Sequence, residues 1–131
     1  MLRRFLIIGG ILNSLLAVFH LFLGNQILQF KDIAEGYLAL MTMLNVGGTL
    51  FIILFAIASL CFINEMISTK LGKLISIFVF LLYFSRALEE VIISPTFSAV
   101  VFIVCLVISV IYLVFFLLSL KSQKPVVAEG K

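Results

Sequence analysis

Charge is what this sequence has least of. Lys, Arg, Asp and Glu together make up 11% of its 131 residues, and only six positions are acidic. A soluble domain carries about 25% charged residues, so a chain this sparsely charged cannot clothe a water-exposed surface. Histidine occurs once, at His20, with no partner at HxxxH or ExxH spacing, which leaves metal or haem chemistry without a ligand set. The two cysteines, Cys61 and Cys105, form no CxxC pair and read as free thiols inside apolar helices rather than as a disulfide. No glycine-rich nucleotide loop, zinc motif or Ser-His-Asp order is present. The basic residues form no stripe interleaved with aromatics, so nucleic acid is excluded as a partner despite a net charge of +3.

What the chain has instead is apolar surface. Hydrophobic residues reach 64% and mean hydropathy is +1.36, against about 45–50% apolar residues in a soluble domain. The fold class predicted is all-α: a single transmembrane domain over 1–131, built as an integral membrane four-helix bundle running up-down-up-down. The apolar runs place helices over about 5–24, 37–63, 74–92 and 97–120, with a short basic turn over 64–73, a break at Ser94, Pro95 and Thr96, and a polar tail over 121–131. The start resembles a signal peptide, with Arg3 and Arg4 before an apolar run. It lacks a small-x-small cleavage site, so it reads as a retained first span.

Orientation follows from the basic residues. Arg3, Arg4, Lys70, Lys73, Lys121, Lys124 and Lys131 fall on one side of four spans, and Lys31 and Arg86 on the other. The positive-inside rule then predicts a multi-pass protein of the plasma (inner) membrane with both termini cytoplasmic.

Small and polar residues recur on one face of each helix at steps of three, four or seven. They are Gly9, Asn13, Ala17, His20 and Gly24; Thr42, Asn45, Thr49, Ala56 and Ser59; Gly72, Ser76, Tyr83, Arg86 and Glu90; and Ser98, Cys105, Ser109, Tyr112 and Ser119. Such faces turn inward in lipid, because small and polar groups hold membrane helices together. Gly9 with Gly10, and Gly47 with Gly48, are read as points of close helix approach.

The third helix is the informative one. From Leu74 to Ser85, between Lys73 and Arg86, runs an apolar stretch of about 18 Å, too short for a bilayer core of about 30 Å. The helix must take in Arg86, Glu89 and Glu90, which the flanking Leu88, Val91, Ile92 and Ile93 favour, or start earlier and include Lys70 and Lys73. On the first choice His20, Asn45, Tyr83, Arg86, Glu89 and Glu90 form a polar cluster in the outer half. Arg86 pairs with Glu90 one turn on, and Glu89 pairs with protonated His20 or stays at the water boundary. Buried charges of this kind mark either a site or a structural ion pair.

The segment Arg4-Phe-Leu-Ile-Ile-Gly-Gly-Ile-Leu-Asn13 resembles the first helix of the GtrA-like polyprenyl-sugar flippase family. The second helix ends Cys61-Phe-Ile-Asn-Glu65, where that family carries an Asn-Arg and aromatic signature. In size and helix count the chain is also similar to DoxX-like small membrane proteins. No site residues are carried from either.

Three functions are open on the sequence. The first is a non-catalytic module binding a lipid, quinone or small cation through the cluster. The second is an accessory subunit of a larger membrane complex or homo-oligomer. The third is an intramembrane acid-base enzyme using His20 with Glu89 or Glu90. The sequence implies no cofactor, metal or committed catalytic residue; its evident partner is the lipid bilayer.

Overall fold

Apolar runs with few helix breakers satisfy their backbone groups most simply as helices, and the computed structural model is helical throughout. It describes residues 1–30, 34–94 and 97–122. The elements are α1 (Leu2–Ile27), α2 (Glu35–Cys61), α3 (Ile63–Ser68), α4 (Lys70–Ile92) and α5 (Ala99–Ser122), with no strand among the described residues. Four of these helices, all but α3, are long and apolar enough to cross a membrane. Lys31, Pro95, Thr96, Lys124, Lys131 and the rest of the tail beyond Ser122 lie outside the described residues.

The boundaries shift from the sequence reading by up to four residues, and the largest change, between the second and third long helices, has a local reason. The expected basic turn over 64–73 is instead the short helix α3 followed by the first turn of α4. Thr69 makes that junction. Its Oγ1 accepts the Gly72 N–H at 2.9 Å and donates to the Glu65 carbonyl at 2.7 Å, so one hydroxyl caps α4 and closes α3. The cap sets α4 going at Lys70. With 23 residues, α4 contains both Lys70 and Lys73 at one end and Arg86, Glu89 and Glu90 at the other. The two choices left by the sequence are therefore both met, on a helix about 35 Å long.

The chain divides into two compact units. Residues 7–63 form one, and residues 1–6 with 64 onward form the other. In the first, α1 and α2 run antiparallel: Gly10 faces Ser59 and Leu60, while Gly24 faces Asn45. A Cβ on Gly10 would stand 2.6 Å from Leu60 Cγ, so glycine there admits the neighbouring helix. Gly47 and Gly48 do not serve this purpose among the described residues, where no other part of the chain lies within 4 Å of a Cβ built on either.

In the second unit α4 packs along α5. The inward stripe of α4 is Gly72, Ser76, Val79, Tyr83, Ala87 and Glu90, and that of α5 includes Cys105, Ser109, Tyr112 and Ser119. Arg86, assigned to this stripe from the sequence, is instead exposed, with 49% of its side chain accessible. At 100° per residue, position 86 stands about 60° from 83 on the side away from 87, at the edge of the stripe, so Ala87 takes the buried place. Both cysteines are free thiols, with Cys105 buried and Cys61 exposed.

Candidate functional site

The six candidate residues separate into two groups, one in each unit. His20 and Asn45 belong to the α1–α2 hairpin. Tyr83, Arg86, Glu89 and Glu90 belong to α4.

His20 is on α1, about two turns before its end, and Asn45 is near the middle of α2. The Asn45 carboxamide makes two contacts with the same residue. Its Nδ2 donates to the His20 backbone carbonyl at 3.1 Å, and its Oδ1 lies 3.2 Å from His20 Nδ1. The first bond orients the amide, so the oxygen must face the ring. An oxygen without hydrogens can only accept, and Nδ1 therefore carries the proton. In the neutral ring this leaves Nε2 as a bare lone pair, its direction set by the contact of Nδ1 with Asn45.

Gly24 makes room for this arrangement. A Cβ there would come within 2.8 Å of Asn45 Nδ2. Phe19, beside His20 on the chain, sets its ring nearly perpendicular to the imidazole with centroids 6.3 Å apart. Both His20 and Asn45 are half-buried, so the pair is reachable from the flank of the hairpin.

The second group is closed on itself. Arg86 reaches Glu90 Oε2 at 3.2 Å and Glu89 Oε2 at 3.6 Å, the i,i+4 and i,i+3 pairs of one helix face. Glu90 is only 4% exposed. Its other oxygen, Oε1, accepts the backbone N–H of Ser98 at 2.8 Å. Ser98 is the residue before α5, and its carbonyl receives the Phe102 N–H at 3.0 Å as the helix begins. Glu90 thus supplies, from the neighbouring helix, the carboxylate that a capping box takes from the third helical residue. That position in α5 is Val101, which has none to offer. The carboxylate also sits at the positive end of the α5 dipole.

Chemically, then, the Arg86–Glu90 pair is a satisfied clamp, with both Glu90 oxygens engaged. Tyr83 is buried on the same face of α4, 4% exposed, and Glu89 stays half-exposed beside Arg86. The acid–base reading gains nothing from a glutamate so occupied. Among the described residues no group of three or more His, Cys, Asp and Glu is gathered in metal-binding fashion.

The partner the sequence reading missed is Ser98. A serine directly before an apolar helix, with no Glu or Gln three residues later, signals a cap in need of a carboxylate from elsewhere. Comparison of the chain with protein families, with curated proteins and with solved structures gives no match in any of the three. The flippase-like segment over 4–13 accordingly remains a local likeness.

Proposed function

We propose that the chain is an integral membrane protein whose four long helices cross the plasma (inner) membrane up-down-up-down, with both termini cytoplasmic. Its function on this reading is to bind an amphipathic ligand by a hydroxyl group, of the kind a quinol carries, at His20. It performs no chemistry of its own.

Four helices of spanning length support the membrane reading. Half or more of the surface of side chains such as Leu15, Val18, Leu44 and Val100 is exposed, which suits hydrocarbon and not water. Seven of nine basic residues on one side support the orientation.

The observation that carries the binding reading is the double contact of Asn45 with His20. It fixes the imidazole as an Nδ1–H tautomer and leaves Nε2 an oriented acceptor without a partner among the described residues. In an apolar surround an unfilled acceptor attracts a donor strongly, because no water competes for it. A membrane-dissolved molecule bearing a hydroxyl supplies that donor while its tail lies along the flank of the hairpin.

The test is nitrogen NMR of the histidine-labelled protein in lipid nanodiscs, with a short-chain hydroquinone as the probe. The reading expects an Nδ1–H tautomer and a hydroquinone-dependent shift of Nε2. Asn45→Ala should abolish the tautomer preference and weaken the response about tenfold, the effect of one hydrogen bond of about 1.4 kcal/mol. An Nε2 resonance indifferent to hydroquinone would end the ligand reading. Orientation is tested separately in a background lacking Cys61 and Cys105. There, Gly36→Cys should react with an impermeant thiol reagent from outside the cell and Ser68→Cys should not.

A further inference from the structure

We infer that the start of α4 holds a phosphate group through Lys70 and Lys73, and that an anionic phospholipid headgroup supplies it.

The first observation is electrostatic. The exposed N–H groups of a helix start carry a partial positive charge, which acidic side chains or anions normally offset. The first turn of α4 has no acidic residue. It has Lys70 at its first position and Lys73 three residues on, so both lysines add to the dipole instead of opposing it. Residues three apart share a face, and two ammonium groups there repel one another unless an anion lies between them. The Thr69 cap does not change this account, since its hydroxyl is neutral and already engaged with Gly72 and Glu65.

The second observation is Lys73 itself. It is 8% exposed, nine-tenths buried, yet its side-chain ammonium has no ion-pair or hydrogen-bond partner among the described residues. The ion pairs found among those residues all belong to Arg86. A lysine so largely buried, with no counter-charge for its ammonium, is costly unless something polar meets the tip. Its tip is not sealed off, because Ser109 Oγ is the one fully enclosed side-chain polar atom left unpartnered among the described residues. The stem is buried while the ammonium keeps some access, which is where an anion would meet it.

The junction of α3 with α4 is closely packed. Backbone atoms of Met66 and Glu65 stand where a Cβ on Gly72 would be, so α3 lies directly against the first turn of α4. A phosphate, with several acceptor oxygens and a charge of one to two, matches paired ammonium groups better than a carboxylate does. The choice of a lipid as its source rests on the membrane reading above, which places these lysines at the cytoplasmic headgroup level.

The experiment uses the full chain in nanodiscs of phosphatidylcholine with and without phosphatidylglycerol, reading lipid retention by native mass spectrometry and melting temperature. Wild type should retain phosphatidylglycerol about fivefold or more over phosphatidylcholine, the effect of about one surface lysine or better. Lys73→Met should lose that preference and Lys73→Arg should keep it. In phosphatidylcholine alone Lys73→Met should melt no lower than wild type, since it removes a buried charge that has no partner there. Lys70→Met offers the same comparison at an exposed position.

Equal retention of phosphatidylglycerol by wild type and Lys73→Met overturns the proposal. A Lys73-dependent rise in melting temperature with inorganic phosphate in neutral detergent would keep the phosphate site and overturn the lipid as its source. Alkaline carbonate extraction of the chain from membranes would defeat the membrane reading instead, leaving the phosphate titration to judge the site by itself.

Discussion

Glu90 of α4 accepts the backbone N–H of Ser98, the residue from which α5 starts, at 2.8 Å. The same carboxylate faces Arg86 through its other oxygen, so a side chain on one helix both caps the next and is neutralised on its own. Removing it should cost more than removing a surface charge. We expect Glu90→Ala to lower stability by about 2–4 kcal/mol, combining a lost cap with an unpaired partner. Glu90→Gln, which still offers an oxygen to Ser98, should cost roughly half as much. Reversible unfolding in mixed detergent measures both, and an unchanged midpoint for Glu90→Ala would refute the clamp.

The His20–Asn45 link depends on a residue that touches neither ring nor amide by a bond of its own. A methyl on Gly24 would stand 2.8 Å from Asn45 Nδ2, which forces the amide away from the His20 carbonyl. Gly24→Ala should therefore release the Nδ1–H tautomer as fully as Asn45→Ala does. Because Ala suits a helix better than Gly by about 1 kcal/mol, the net loss of stability should stay near zero. The histidine nitrogen spectrum separates the two effects; a preserved tautomer in Gly24→Ala would show that the amide is held by something else.

How much of this was legible beforehand differs from residue to residue. The four long helices were, because runs of about 20 apolar residues admit little else. So was the Arg86–Glu90 pair, which follows from i,i+4 spacing alone. The inward stripes were also readable, with Asn13, Ser76 and Ser119 buried as expected. Arg86 was misplaced because a polar residue was assumed to share the face of its polar neighbours, whereas a long side chain can leave that face and still bond to it. Ser98 was invisible as a partner of Glu90 because the contact joins two helices across a turn. The helix α3 was hidden by length: six residues carry too little periodicity to declare themselves.

Gly47 and Gly48 offer a contrast to Gly24. Both lie inside α2, and among the described residues no neighbouring element stands within 4 Å of the position a Cβ would take on either. Alanine at each should stabilise the helix by about 0.5–1 kcal/mol through reduced freedom of the unfolded chain. The double variant should raise the melting temperature in detergent. A fall would mean that another chain or a ligand approaches α2 closely at that point.

Gly72 is the opposite case, since the atoms nearest its missing Cβ are backbone atoms of Met66 and Glu65. Backbone does not swing aside as the end of a side chain does, so Gly72→Ala must lift α3 off α4 or unwind the first turn. Lifting α3 would uncover Met66, now 2% exposed, and strain the hydrogen bond from Thr69 to the Glu65 carbonyl, while unwinding the turn would break the one from Gly72 to Thr69. We expect a loss of about 1–3 kcal/mol from the overpacking, beyond the loss of about 1 kcal/mol from Thr69→Ala, which removes the cap alone. Met66→Cys in a background lacking Cys61 and Cys105 reports the displacement directly. Its thiol should resist labelling when Gly72 is present and react readily when alanine replaces it. Equal protection in both proteins would mean that the first turn of α4 absorbs the methyl and that α3 is not seated by the glycine.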